Sequence, residues 1–152
     1  MYSSAAMAFL HHLAAFTVVA ALAIEVAMFK PPLTAVQARR LQLTDNVYGL
    51  AAAAVLIIGG LRVAYFEKPT EYYLHDVYFL AKLGAFLIAA LISIYPTVMF
   101  IRWNPALKAG AAPELSAQQT RRIRLCLMLE LTLIVVILAC AALMARGFGY
   151  LG

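Results

Sequence analysis

Four long apolar segments, separated by short polar connectors, make up most of this 152-residue chain. They cover about residues 5–29, 47–66, 77–101 and 123–144. An apolar run of ~20 residues is long enough for a helix to cross the hydrocarbon core of a bilayer. We therefore predict an all-α fold, in which residues 1–152 form a single integral membrane domain, a bundle of four spanning helices.

Polar and helix-breaking residues mark the ends of these segments. Thr44 or Asp45 is expected to cap the second helix, because short polar side chains accept hydrogen bonds from the free amides at a helix start. The fourth helix is predicted to begin in the connector near Ser116 and to end at Gly147. Pro96 predicts a kink in the third helix.

The overall composition supports a membrane protein. The chain is 65% hydrophobic and 12% charged, whereas soluble domains average ~45–50% apolar and ~25% charged residues. The net charge of +5 comes from basic residues that flank the apolar segments, and the chain has no nucleic-acid-binding motif. Membrane lipid is the expected partner, and nucleic acid is not.

The distribution of lysine and arginine predicts the orientation in the membrane. Basic residues crowd the connectors after the first and third segments, whereas the second connector carries only Lys68 and the N-terminal tail carries none. Because cytoplasmic connectors are the basic ones, both termini are predicted on the outer, periplasmic side of the bacterial inner membrane. Trp103 is expected to anchor the inner boundary, as interfacial aromatic residues do.

The few ionisable residues inside the apolar segments fall at two depths. They are His11, His12, Arg62 and Lys82 near the predicted outer face, and Glu25, Asp45 and Glu130 near the inner face. Placing a charged group in hydrocarbon costs at least ~2.5 kcal/mol on insertion scales, so each should have a partner or a function. Arg39 and Arg40 are placed to neutralise the inner group.

The two adjacent histidines are predicted to differ in environment. At ~100° per residue, His11 and Glu25 fall within roughly 40° of each other on one helix face, while His12 points away. A single packed face therefore buries His11 better than His12. The alternatives for His11 are a hydrogen bond between helices and a functional role in binding.

Structural and functional alternatives stay open for the charged residues. Lys82 and Arg62 either extend their charged ends to the nearby surface or bind an anion; the planar guanidinium of Arg62 suits a carboxylate. Glu130 and Glu25 either bond to a neighbouring helix, for example through an ion pair with Arg39 or another connector arginine such as Arg124, or they relay protons or bind substrate.

Short motifs in the chain carry a resemblance to known families. They are Phe9-Leu10-His11-His12-Leu13, Ala38-Arg39-Arg40-Leu41, Ala81-Lys82-Leu83 and Leu129-Glu130-Leu131. The whole chain is similar to a family of small bacterial predicted membrane proteins of unassigned function. More remotely, it resembles the HemJ-type protoporphyrinogen oxidases, which are membrane proteins of four to five helices associated with haem b.

The HemJ resemblance implies haem b as cofactor and an oxidoreductase activity of the protoporphyrinogen oxidase type. It matches His11 to a histidine of the first span, Lys82 to a lysine of the third and Glu130 to a glutamate of the last. Leu80 stands where those proteins carry a further histidine.

The leading functional hypothesis is accordingly a haem- or porphyrin-binding membrane redox protein. In it His11, or else His12, is the axial ligand, and Arg62 and Lys82 hold the propionates. Glu130, Glu25 and Lys82 are the candidate catalytic residues, the two carboxyl groups handling protons. The expected small-molecule partner is a porphyrin or a quinone.

Other functions stay open on the same residues. One is a small proton- or anion-coupled transporter or channel subunit, whose path the outer basic and inner acidic residues would mark. Four helices with short connectors enclose little space, so we expect a homo-oligomer. Another is a metal-binding protein that uses His11, His12 and a carboxylate, although adjacent histidines lack the i, i+4 spacing of a helical metal site. The last is an assembly factor whose polar residues only join helices.

Overall fold

Four long helices dominate the computed structural model, which describes residues 2–66 and 70–151. The long helices are α1 (Tyr2–Met28), α2 (Ala35–Leu61), α4 (Val77–Arg102) and α6 (Ala117–Ala145). Two short helices, α3 (Thr70–Leu74) and α5 (Asn104–Lys108), lie in connectors, and a π-helical turn over Arg62–Phe66 extends α2. All four long helices are long and apolar enough to cross a membrane, so the all-α class and its four apolar helices are as predicted.

Capping boxes start two of the long helices. The Thr34 hydroxyl accepts a hydrogen bond from the Gln37 amide at 3.2 Å, and the Gln37 side chain accepts one from the Thr34 amide at 2.9 Å. Ser116 and Gln119 make the same pair of bonds at the start of α6. These bonds satisfy amides that have no partner within the first turn. The predicted start of this helix near Ser116 is confirmed, and it ends just before Gly147, whose φ is 78°.

The predicted cap of the second helix is wrong. α2 already begins at Ala35, so Thr44 and Asp45 both lie inside the helix. The Thr44 hydroxyl donates to a carbonyl oxygen of its own helix at 2.9 Å. Asp45 is buried and accepts a hydrogen bond from the Thr97 hydroxyl of α4 at 2.8 Å. The polar stretch before Asp45 resembles a connector in composition, but the capping box in front of it makes it helical.

Consecutive long helices run antiparallel and close into a bundle. α1 packs mainly on α2 and α4 mainly on α6, and further contacts join α1 to α6 and α2 to α4. Both ends of the described chain meet residues 62–66 and 70–76 at one end of the bundle, where the Ser4 hydroxyl donates to the Phe66 carbonyl at 3.4 Å and the Leu151 amide to the His75 carbonyl at 3.1 Å. We call it the terminal end.

The opposite end, which we call the loop end, contains residues 29–34 and 103–116 and the most aromatic part of the core. The Phe100 ring packs between Phe29 and Trp103, with centroid distances of 6.4 and 4.7 Å. Trp103 is only 5% exposed. The core therefore encloses the Trp103 indole, and its role as an anchor at the inner boundary stays a prediction.

The contribution of the α2 capping box to the stability of the protein can be tested by substitution. In Thr34→Ala the Gln37 amide loses its acceptor, and we expect the free energy of unfolding to fall by ~1 kcal/mol. Denaturant titration of the purified protein in detergent measures this. Thr44→Ala is the matched control, since that hydroxyl bonds only within its own helix and its loss should change stability by less than ~0.5 kcal/mol. Equal losses in the two variants would contradict a specific role of the cap.

Candidate functional site

Three carboxyl groups, each from a different helix, are buried in the loop-end part of the bundle. Glu25 of α1 and Glu130 of α6 are each 1% exposed, and Asp45 of α2 is 6% exposed. Glu25 interacts electrostatically with both of the others. We call Glu25, Asp45 and Glu130 the acidic cluster. Helical spacing explains why α2 contributes Asp45 to this cluster, because Asp45 lies on the buried face of α2 together with Leu41.

Hydroxyl groups supply the hydrogen bonds of the acidic cluster. Buried Tyr48, one turn after Asp45 in α2, donates to a carboxyl oxygen of Glu130. Thr97 donates to Asp45. One carboxyl oxygen of Glu25 and one of Glu130 are buried without a hydrogen-bond partner among the described residues. Because a buried polar atom without a partner costs ~1–3 kcal/mol, these two oxygens are places where a proton or a ligand is expected.

The acidic cluster has no cationic partner within the part of the chain that the structure describes. Its electrostatic neighbours are the other carboxyl groups of the cluster. Arg39 donates to the Leu107 carbonyl at 2.7 Å instead, and Arg40 and Arg124 are exposed. The predicted neutralisation by Arg39 and Arg40 is therefore wrong, as is the predicted ion pair of Glu130 with Arg39 or Arg124. Neighbouring carboxylates among apolar side chains repel one another, so each additional ionised group raises the cost of the acidic cluster.

A second group of ionisable residues lies at the terminal end. His11 of α1, Arg62 of the π-helical turn and Lys82 of α4 interact electrostatically, and we call them the basic cluster. His11 is half-buried, whereas His12 is exposed and its Nδ1 bonds to the Ala8 carbonyl of its own helix at 2.6 Å. The helical spacing predicted this difference between the two histidines.

Gly59 allows the His11 ring to lie directly against α2. A Cβ atom at Gly59 would come within 3.1 Å of Cε1 of His11. The imidazole also interacts with the backbone of Val55, one turn earlier in α2. Its Nδ1 is buried and has no hydrogen-bond partner in the described segments. The His11 ring thus lies in the interface between α1 and α2, and its Nδ1 atom has no hydrogen-bond partner among the described residues.

Asp76 is a part of this end that sequence reasoning missed. It is fully buried, and its Oδ1 caps α4 by accepting hydrogen bonds from the amides of Tyr78 and Phe79 at 2.9 and 3.0 Å. Its carboxyl group also attracts Lys82, whose Nζ lies 5.3 Å from the centroid of the Phe79 ring. The available signal was an aspartate immediately before an apolar helix, a common N-cap.

An apolar cavity of about 250 Å³, partly open at the surface of the bundle, lies between the two clusters. All four long helices line it, and on α1 and α2 the lining residues fall between the acidic and the basic residue of the same helix. Small residues of α2 and α4 leave the space open; they are Gly49, Ala52, Ala53, Ala89 and Ala90. Tyr48 belongs both to this lining and to the acidic cluster, so it connects the cavity with Glu130.

This cavity does not fit haem b. Its volume of about 250 Å³ is below the ~300–1,000 Å³ of pockets for drug-sized ligands, and a haem is larger than most such ligands. The His11 ring packs against Gly59, which leaves no room for a macrocycle on that side. Haem ligation by His11 or His12, with Arg62 and Lys82 on the propionates, stays a prediction.

The described residues do not bring a set of three ligands together at the predicted metal site. No group of three or more His, Cys, Asp or Glu side chains among them is arranged to hold a metal ion. The rings of His11 and His12 have centroids 6.2 Å apart and planes inclined by 81°. With His12 exposed and bonded to its own helix, the two rings do not converge on a common point.

Comparison with known proteins gives a membrane location and no activity. The model of one family, described as a predicted membrane protein, matches residues 3–149. No curated protein and no solved structure matches significantly. The match includes all four long helices, so the chain is a multi-pass integral membrane protein.

The contact between His11 and α2 generates a test at Gly59. Replacing a helical glycine by alanine normally adds up to ~1 kcal/mol of stability. In Gly59→Ala the new methyl group would meet the His11 ring at 3.1 Å, so we expect this gain to be lost or reversed. In a His11→Ala background the gain should return. Thermal unfolding of the four proteins in detergent measures the difference.

Gly60→Ala is the control for this comparison, because a Cβ atom at Gly60 meets nothing within 4 Å. Its effect should be the same with and without His11. If Gly59→Ala also changed stability equally in both backgrounds, the close packing of His11 on α2 would be contradicted.

Proposed function

We propose that this chain, which belongs to the DUF2214 family of predicted membrane proteins, is a proton-coupled transporter subunit for a small anion. In this proposal the acidic cluster holds the proton and the basic cluster binds the anion. The observation that carries it is the burial of Glu25, Asp45 and Glu130 beside one another with no cationic partner among the described residues.

A purely structural role accounts poorly for the acidic cluster. Ser, Thr, Asn and Gln suffice for hydrogen bonds between spanning helices, whereas an acidic residue within a span costs up to the ~2.5–3.5 kcal/mol that insertion scales give for the helix centre. What a carboxyl group adds is the ability to take up and release a proton. Tyr48 and Thr97 support this exchange, because a hydroxyl can rotate to donate or accept as the carboxyl changes form.

The basic cluster and the cavity supply the remaining parts of a transport path. Arg62 and Lys82 attract an anion at the terminal end, and a guanidinium matches the geometry of a carboxylate. The apolar cavity disfavours an ion that crosses alone. A monovalent anion that crosses with one proton has no net charge, and a divalent anion keeps only one negative charge, so coupling lowers the electrostatic cost of passage.

We further propose that the protein acts as a homo-oligomer in the bacterial inner membrane, with both termini on the periplasmic side. A cavity of about 250 Å³ is small for a carrier, and further subunits would enlarge the protected path. The orientation rests on the basic residues of the loop end, which are Lys30, Arg39, Arg40, Arg102, Lys108, Arg121, Arg122 and Arg124. Lys68, used in the same argument, lies outside the described residues.

Proton flux into liposomes tests the transport proposal. Purified protein is reconstituted with an internal pH-sensitive dye, and an inward proton gradient is imposed with chloride, phosphate or succinate outside. We expect at least one of these anions to accelerate acidification over protein-free liposomes. Glu130→Gln should reduce that flux at least tenfold, because the amide keeps the size and the bond to Tyr48 but cannot exchange a proton. Lys82→Ala should weaken the dependence on anion concentration.

Matched controls remove the same charges elsewhere. Glu114→Gln and Lys108→Ala alter exposed residues at the loop end and should leave the flux unchanged. Wild-type flux no greater than that of empty liposomes, or flux that survives both Glu130→Gln and Lys82→Ala, would contradict the proposal. A Soret absorption band that disappears in His11→Ala would support the haem hypothesis instead.

The orientation is tested by labelling of single cysteines in intact cells. In a background that replaces Cys126 and Cys140 by alanine, Ser3→Cys lies near the N-terminus and Ala111→Cys in the exposed connector before α6. We expect a membrane-impermeant maleimide, after release of the outer membrane, to label the cysteine at position 3 directly and that at position 111 only after cell lysis. The reverse pattern would show that the termini are cytoplasmic.

A further inference from the structure

A second groove opens between α1 and α6 at the loop end. It has a volume of about 230 Å³, and its walls are the apolar side chains of Val26, Phe29, Leu127 and Met128. The remaining lining residues are two cations, Lys30 and Arg124. The groove therefore combines an apolar wall within the spanning helices with a positive charge at one end.

Helix geometry places both cations on the loop-end side of the groove. Lys30 follows the last turn of α1, while Arg124 lies about one turn closer to the start of α6 than Leu127 and Met128. The apolar wall thus extends from the cations towards the middle of the spanning helices. A phospholipid has the same order, with its charged headgroup at the interface and its acyl chains directed to the centre of the bilayer.

The two cations have no counter-charge among the described residues. Both are exposed, and neither side chain makes a hydrogen bond or ion pair with another described side chain. Two positive groups that line one groove repel each other, and an anion between them removes that repulsion. Guanidinium and ammonium groups are the usual protein partners of phosphate.

We propose that this groove is a binding site for an anionic phospholipid. Lys30 and Arg124 hold the phosphate, and an acyl chain lies along Val26, Leu127 and Met128. A helix from a second protein is a poorer occupant, because its apolar face would cover two cations without neutralising them. A basic pocket between spanning helices suits lipid headgroups in general. Lipid binding here is independent of any transport activity.

Native mass spectrometry of the full chain tests the site. The protein is released from detergent after incubation with phosphatidylglycerol or with phosphatidylcholine of the same acyl chains. We expect phosphatidylglycerol to remain bound and phosphatidylcholine to bind at least fivefold less. The double variant Lys30→Gln with Arg124→Gln should lose at least four-fifths of the bound phosphatidylglycerol. Met128→Trp, which keeps both charges but fills the apolar wall, should reduce binding as well.

The matched control is the double variant Arg40→Gln with Arg122→Gln, which removes two exposed charges at the same end but outside the groove. It should bind phosphatidylglycerol like the wild type. Equal losses in both double variants would overturn the proposal in favour of diffuse attraction to the basic end. Inorganic phosphate at millimolar concentration should not displace the lipid; full displacement would identify a site for free phosphate instead. Circular dichroism of each variant checks that it is folded.

Discussion

The cost of enclosing charged groups among apolar side chains is the constraint on which the rest of this structure depends. Apolar contact gives little preference for one register of two spanning helices over another, because lipid tails are as apolar as leucine. Polar contacts do distinguish registers. The bond from Thr97 to Asp45 joins α4 to α2, and the bond from Tyr48 to Glu130 joins α2 to α6. Each of these two contacts fixes the position of one long helix against another.

The same constraint keeps the two clusters separate in function. His11 and Glu25 lie on one helix, and the rise of ~1.5 Å per residue puts them ~21 Å apart. At an effective dielectric constant of ~20, two unit charges at that distance interact by ~0.8 kcal/mol, less than the cost of burying either one. The basic and acidic clusters therefore cannot neutralise each other across the cavity. Each must satisfy its own charges locally, through protons, ligands or hydroxyl groups.

Local signals explain which parts of the structure could be predicted from the sequence. The apolar segments, the start of α6 at Ser116 and its end before Gly147 each depend on a few neighbouring residues. The two depths of the ionisable residues also follow from their positions along the apolar segments. The hydrogen-bond partners of these ionisable residues could not be predicted, because they depend on how each helix is rotated about its axis. Tyr48 shows this: its spacing from Asp45 puts both on one face, but nothing local indicates that the face meets Glu130.

The sequence-based predictions were wrong where local composition indicated one structure and contacts with distant residues produced another. The stretch before Asp45 is polar enough to resemble a connector, yet it forms the first turns of α2, and this moves Asp45 from a helix end into the interior. Arg39 is close to Asp45 in the sequence, but its guanidinium donates to the Leu107 carbonyl in the connector between α4 and α6. The burial of Trp103 could not be predicted either, because it depends on packing against Phe100 and the rest of the core.

One hydrogen bond links the protonation of the acidic cluster to the cavity in the proposed transport. Tyr48 lines the cavity and donates to Glu130. An ionised carboxylate can only accept, so it holds the Tyr48 hydroxyl in the donating orientation; a protonated carboxyl can donate, which lets the hydroxyl turn its own proton into the cavity. Proton uptake at Glu130 would thus present a hydrogen-bond donor to an anion in an otherwise apolar space. Coupling of proton and anion then requires no direct contact between the two clusters.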